Sequence, residues 1–282
     1  MRRDKGQTLE VKILDWRSGA FTRERLRNLR TELRLPSGEP LPASFVRHAE
    51  DQTVAALAVA LEALKELPEL AREIDEWGVL AAPEYFGREA TWAALQRYSR
   101  EGASAISPHL IPNHCLHSLA GSLSVLLGCH GPNYGIGGGP RQFAELLLAG
   151  LAETAQGLAP GYWLLATVWR QAPPELSASS YDQPVCLALA MAVCSASASY
   201  AQWRARLTWR PWLRLHDGDT CTESQLSLDS FVRALHNPQM VVGRPAVQIT
   251  RWCLPKVGWL ELHHETAASQ AQLSAGYREV AA

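Results

Sequence analysis

The chain has 282 residues, 47% of them hydrophobic, enough apolar material to bury a large core and too much for a disordered polymer. Its net charge of −1 and pI near 6.8 supply no basic field to attract nucleic acid or anionic lipid. Six cysteines lie scattered without a C-x-x-C pair, the N-terminus has no apolar segment of signal-peptide length, and the longest apolar run, Val185–Cys194, is about half the roughly 20 residues a bilayer requires; the expectation is a cytoplasmic protein with reduced thiols and no membrane contact.

In chain order, Leu9 to Leu14 alternates apolar and polar residues, the period of a strand with one solvated face. Residues 17–42 are rich in Arg, Glu, Pro and Gly and read as a charged surface excursion with one short amphipathic piece around Phe21 to Leu33. Its six arginines, from Arg17 to Arg34, are either a solvated helix face or a dock for an acidic partner. Asp51 to Leu67 is predicted helical, with Val54, Leu57, Ala58, Leu61 and Leu64 on one face and Pro68 as its stop. Trp77 to Ala82 reads as a buried strand. Residues 84–105 are predicted to form a helix and loop with Trp92, Leu95 and Tyr98 packed inward.

The stretch from Ser107 to Leu158 is the richest in pattern. From His114 to Leu127, residues Leu116, Leu119, Ala120, Leu123 and Leu127 recur at helical spacing, and Gly128 closes that helix. His130 to Asn133 is a turn, Tyr134 to Ile136 a short buried strand, and Gly137 to Gly139 a tight corner. A second helix follows with Pro140 in its first turn and Phe143, Leu146, Leu147, Gly150, Leu151 and Thr154 on one face. A strand that runs through a sharp turn into a helix start offers free N–H groups and a dipole to a developing anion. Beyond it, Tyr162 to Val168 and Pro184 to Ala192 are strand-like, separated by a Pro/Ser-rich loop, Ala172 to Asp182. The chain from Tyr200 on carries five of the ten tryptophans and is expected to add strands and a helix at Ser227 to Leu235, either as a packed subdomain or as a hydrophobic interface.

The order Ser107-Pro108, Ile111-Pro112-Asn113, Ala120-Gly121 with Ser124, Gly128-x-x-Gly131-Pro132-Asn133, then Tyr134 to Gly139, resembles the centre of β-ketoacyl synthases of the thiolase-like superfamily. Arg47-His48-Ala49 leading into Ala55-Ala56-Leu57 fits the basic residue and alanine-rich helix of that family. The resemblance implies an α/β fold, one thiolase-like half with a mixed sheet flanked by helices over residues 1–199, and a Trp-rich extension of uncertain fold over 200–282. In the family, the region matching residues 84–105 builds dimer contact and pocket wall.

The departure comes at the nucleophile. Pro140 stands where these synthases carry the active cysteine, with Gly139 in place of the preceding alanine, and proline offers neither a thiol nor a backbone N–H for an oxyanion hole. Nothing from Tyr134 to Leu151 is Cys, Ser or Lys. The two histidine signatures of a second half are also missing; His216-Asp217-Gly218-Asp219-Thr220 is the nearest sequence, with Asp217 and Asp219 replacing small residues. The resemblance therefore implies a degenerate ketosynthase of the chain-length-factor type. It would have no cofactor and would dimerise with itself or pair with an active synthase. Pro112, Asn113, Gly131, Pro132, Tyr134 and Gly139 would shape its turn or acyl pocket, and acyl carrier protein would be a partner.

Other constellations compete with that reading. His109, His114, Cys115 and His117 crowd together, but no second cluster pairs with them, and no metal is expected. Cys115 or Cys129 would serve a divergent acyltransferase or thioesterase given a lowered pKa and a nearby base; a buried structural thiol is the plainer assignment. His263-His264-Glu265 lacks the i, i+4 spacing of two ligands and reads as a solvated terminus. Gly135 to Gly139 lacks the dinucleotide spacing, so its glycines serve close backbone approach. A binding module for an acyl chain or a protein, with the Trp-rich tail as contact, is the third reading.

Overall fold

The computed structural model describes residues 8–68, 70, 73–171, 184–200, 203–211, 226–236, 247–254 and 257–265. Within them, eight strands form one mixed sheet: β1 (Leu9–Thr22), β2 (Gly78–Pro83), β3 (Asn133–Gly135), β4 (Gly161–Gln171), β5 (Pro184–Ser195), β6 (Ala205–Pro211), β7 (Val247–Leu254) and β8 (Gly258–Glu265). The order across the sheet is β3-β2-β4-β5-β1-β6-β8-β7. β3, β2 and β4 run parallel, whereas β5 is antiparallel to both β4 and β1.

Strand β1 extends well past the predicted Leu14. Arg17 to Thr22 break the apolar alternation, yet they pair residue for residue with Ala190 to Val185 of β5, so tertiary pairing overrides local pattern. The surface excursion begins only with helix α1 (Arg23–Glu32), capped by the Thr22 hydroxyl, which accepts from the Arg25 N–H at 3.1 Å. Several of the arginines predicted to face solvent are spent on neighbours: Arg17 on Asp15, Arg23 on Glu89, and Arg30 on Asp51 at 2.7 Å.

Alternation along the buried strands divides the core into two layers. Val79 and Ala81 of β2, Trp163 and Leu165 of β4 and the even-numbered residues from Cys186 to Cys194 of β5 meet α1, the short helix α2 (Ala43–Val46), α3 (Asp51–Lys65) and α6 (Ser118–Leu127). Leu80, Ala82, Leu164, Ala166, Val168, Leu189 and Met191 face the opposite way, against α7 (Gln142–Gln156) and α8 (Leu228–His236). Helix α3 departs from the one-faced prediction: it is buried from Gln52 to Leu61 and again at Ala63 and Leu64. It lies between the sheet and α1, and Ala55, Ala56, Ala58 and Ala60 let backbone approach on every side.

Helix α4 (Arg88–Glu101) departs in the opposite sense. Trp92, Leu95 and Tyr98, predicted to pack inward, are 63%, 56% and 54% exposed, and no residue of the helix is buried. It packs on α5 (Leu110–His114) and the short turn at Ala103–Ala105 rather than on the sheet, which leaves its apolar side open.

The helix predicted from His114 to Leu127 begins only at Ser118, as α6, and the short helix α5 before it ends at His114. Cys115 is extended, and the break sets the Leu116 carbonyl against Gly135, where a Cβ would lie only 2.5 Å from it. Gly128 ends α6 in the left-handed conformation (φ 70°), as its position suggested. The strand expected at Tyr134 to Ile136 is β3 at the rim of the sheet, so Tyr134 is 44% exposed instead of buried. All six residues predicted for the inner face of α7 are buried.

β4 and β5 run longer than predicted. The described residues beyond 200 extend the same sheet, because β6 pairs with the first half of β1, β8 with β6, and β7 with β8. His263 and His264, read as a solvated terminus, lie on β8, and His264 is buried at 8% exposure. The loop Ala172 to Asp182, the His216 to Thr220 sequence and Cys221 lie outside the described residues. No helix among the described residues is long and apolar enough to cross a membrane.

Candidate functional site

The carboxyl ends of the parallel strands β2, β3 and β4 converge at one end of the sheet, the place where α/β sheets gather ligands and chemistry. β2 leaves the sheet through Glu84-Tyr85-Phe86-Gly87, and β3 through Ile136 and the three glycines before Pro140. The two exits are bonded together: the Ile136 N–H donates to Ala81 O at 2.7 Å, and the Tyr85 N–H to Gly138 O at 3.1 Å. Tyr85 has φ 53°, the one positive value at a non-glycine among the described residues, a strained conformation that the adjacent turn holds in place. Gly137 is required as glycine, since its φ of 69° is left-handed and a Cβ there would lie 2.7 Å from Gln142 Cβ and 2.9 Å from Gln142 Cα.

The turn delivers position 140 to the surface. Pro140 is exposed and precedes Arg141, the N-cap of α7. A Cβ on Gly139 would meet nothing within 4 Å. The sequence-predicted turn thus exists, and the proline at its tip carries neither a thiol nor a backbone N–H.

Behind the turn lies a polar network that sequence reasoning missed. Glu84 is its hub. Its carboxylate Oε2 accepts from Arg170 Nη1 at 3.2 Å and Gln142 Nε2 at 3.4 Å, its carbonyl accepts from Gln52 Nε2 at 3.1 Å, and its N–H donates to Thr167 O at 2.9 Å. The Thr167 hydroxyl donates to Gln52 Oε1 at 2.8 Å, and Arg170 Nε reaches Asp229 of α8 at 3.2 Å. Gln52, Thr167 and Gln142 are buried at 1%, 0% and 4% exposure. Two residues before Gln52, at the N-cap of α3, Glu50 accepts the Gln52 N–H at 2.7 Å; burial pushes its carboxyl up to about 7. The available signal was Thr167 inside the apolar run of β4; Gln52, flanked by Glu50, Asp51 and Thr53, carried none.

The structure spreads the predicted pocket residues over four places. Gly139 is at the turn. Gly131 and Pro132 stand at the other end of the sheet, where a Cβ on Gly131 would lie 2.6 Å from the Trp77 backbone and Pro132 O accepts the Val79 N–H at 2.8 Å. Pro112 and Asn113 are on α5, with the Asn113 side chain donating to His109 O at 3.0 Å. Tyr134 lies on the sheet rim.

Neither alternative cysteine is set up for attack. Cys129 is buried, and desolvation, with the Asp75 charge adding to it, pushes its thiol up to about 12. Cys115 is exposed, and its Sγ lies 3.1 Å from Ser118 Oγ. His109 stacks on His48 with ring centroids 4.8 Å apart, and burial lowers the pKa of His114. Among the described residues no three His, Cys, Asp or Glu side chains are placed to hold a metal ion.

The rim of the sheet beside this site is apolar. β3 is an edge strand, with Tyr134 on it, and the elements that follow outward carry Val125 on α6, Ile111 on α5 at 75% exposure, and Trp92, Leu95 and Tyr98 on α4. Scattered exposed hydrophobics are ordinary; a run of them along an edge strand and its flanking helices marks a contact surface.

No family model matches the sequence, and no curated protein matches it. The fold does match solved structures. One is a chain of the complex of the ketosynthase ApeO with its chain length factor ApeC from Xenorhabdus doucetiae, with a TM-score of 0.51 and 14% identity over 90% of this chain and 99% of that one. Another is a chain of the AntDE:AntF assembly, a type II polyketide synthase acyl-carrier protein in complex with its ketosynthase bound to the hexaketide. There the TM-score is 0.50 and the identity 11%, over 67% of this chain and 64% of that one. At such identities the likeness shows the fold alone, the α/β architecture that this chain shares with those ketosynthase-complex chains.

Proposed function

We propose that the chain is a non-catalytic, chain-length-factor-type subunit of an acyl-condensing system in fatty-acid or polyketide biosynthesis. The observation that carries this reading is the turn between β3 and α7. In a ketosynthase-type fold this corner holds the nucleophile, and here its tip is an exposed Pro140 backed by the Glu84–Arg170 ion pair and Gln142. Behind the turn Glu84 holds Gln142 and Arg170, none of them a cysteine or a histidine. The missing second-half histidine signatures agree with it.

Such a subunit acts through a partner. The apolar rim from Tyr134 to Trp92 supports pairing along β3, by sheet continuation and helix packing, with an active synthase or a second copy of this chain. Shaping an acyl pocket then belongs to the assembled pair. Acyl carrier protein, named in one of the matched complexes, is the further partner this reading implies.

Two measurements test it. Light scattering on the chain alone and co-expressed with a ketosynthase should give a dimer or a one-to-one complex. Intact-mass analysis after incubation with acyl-carrier-protein and coenzyme A thioesters should show no covalent adduct; a stoichiometric adduct on Cys115 would overturn the reading in favour of a divergent acyltransferase.

A further inference from the structure

Strand β8 carries two adjacent histidines on opposite faces of the sheet, and neither serves the function proposed above. His264 follows Leu260 and Leu262 to the face that α8 covers. It is buried, its ring stands edge-on to Trp16 of β1 with centroids 6.4 Å apart, and the backbone of Ala234, near the end of α8, lies against it. Its Nε2 is buried without a hydrogen-bond partner. A neutral ring with its proton on Nδ1 leaves only an acceptor unmet there. An imidazolium would bury a charge and an unsatisfied N–H donor together, a much larger cost.

Among the described residues, no carboxylate faces His264 to offset that charge. On β1 its neighbours are Trp16 and then Ser18, whose hydroxyl is bonded to His236 of α8 at 2.9 Å. On β6 it pairs with Ala205, and the adjacent Arg204, itself bound to Asp15 at 2.9 Å, lies 5.8 Å from the Trp16 ring. The last turn of α8 brings only Arg233 and His236, both basic, and on β7 the paired residue is Gln248. Glu261 points to the other face, where Arg210 and Arg251 hold it 3.4 Å from His263. Burial lowers the pKa of both histidines; for His264 only the Ala234 backbone opposes it. β8 is also the strand that joins β7 to β6, and with β7 comes Trp252, on which Phe231 of α8 packs at 5.3 Å. We propose that His264 is an acid-sensitive latch, independent of the function proposed above: its protonation opens the junction of β8 with α8, and the β7–β8 edge with it, while β1, β5 and β4 stay paired. The stabilisation is complete above about pH 6.5, the ordinary histidine value, and is lost as pH falls below it.

The readout must be local, because Glu50 titrates with the opposite sign in the global stability. Hydrogen exchange of the full chain, followed by mass spectrometry at pH 7.5 and pH 5.5 and corrected for the intrinsic pH dependence of exchange, supplies it. Protection of peptides from α8, β7 and β8 should fall about tenfold or more at the lower pH, with β4 and β5 unchanged. His264→Phe, which keeps a ring against Trp16 and takes no proton, should abolish that fall, and His263→Gln should preserve it. In the parent chain, the His264 Cε1–H resonance should titrate below the ordinary histidine value, a test that needs no variant to fold. No fall in the parent, a fall that survives His264→Phe or vanishes in His263→Gln, or a His264 titration at or above the ordinary value overturns the proposal.

Discussion

The two ends of this sheet are built on opposite plans. At the carboxyl end the strand exits are bonded to each other, a strained Tyr85 is held by Gly138, and Glu84 gathers Gln52, Gln142, Thr167 and Arg170 into one network. At the amino end the chain leaves an open cleft whose walls are a helix terminus, two exposed carboxylates and small side chains. A fold of this type has room for chemistry where strands stop and helices start. Here that room is filled with interactions that fix structure, and the open space is elsewhere. Polar residues behind the glycine turn are therefore expected to report on stability, and residues at the apolar rim on assembly.

The largest effect should come from Gln52→Ala. It removes the partner of a fully buried Thr167 hydroxyl and of the Glu84 carbonyl and leaves a void beside α3, a loss of about 3 kcal/mol measurable by urea denaturation. A loss below about 1 kcal/mol would dissolve the contrast between a locked end and an open one.

Next is the titration of Glu50, which neighbours the network through Gln52. Its folded pKa, about 7, stands above the value of 4.5 for a free glutamate, because burial penalises the charge. The folded state thus holds a proton that the unfolded state has released. Glu50 costs nothing below about pH 4.5, and its ionisation costs stability progressively as pH rises from there to about 7, a few kcal/mol at most. Glu50→Gln should flatten the fall of melting temperature across that window and raise it at pH 8. A parallel fall in the variant would remove Glu50 as its source. Arg170→Ala should cost less, about 1 kcal/mol, because Arg170 is 38% exposed and solvent replaces part of what Glu84 and Asp229 lose.

How much of this was legible in the sequence follows from what each residue's environment is made of. The inner face of α7, the caps at Gly128 and Thr22 and the buried strand β2 answer to local rules, and Phe143 to Thr154 fall inward as their spacing requires. β1 beyond Leu14 does not, because Arg17 to Thr22 become a strand only by pairing with β5, whose register the local pattern does not contain. The site divided the same way. The turn and the Pro140 at its tip were visible as motif. Glu84, separated from Gln142 and Arg170 by 58 and 86 residues, was not, since that hub exists only once three strands end together. Helix α4 misled for a related reason: an apolar stripe signals burial against something, and periodicity does not say whether the cover lies in the same chain.

That last ambiguity yields the smallest expected change in stability and the sharpest separation of the two kinds of residue. Trp92→Glu places a charge on a side chain 63% exposed in a helix with no buried residue. The unfolding free energy of the monomer should move by no more than about 0.5 kcal/mol. If the rim pairs with a partner, the same charge meets an apolar surface on association, and the dimer or synthase complex seen by light scattering should dissociate at concentrations where the parent remains assembled. Gln52→Ala should do the reverse, lowering stability while the fraction still folded assembles normally. A Trp92→Glu protein that assembles unchanged would place the partner elsewhere, whereas one that unfolds would return α4 to the core, as its periodicity first suggested.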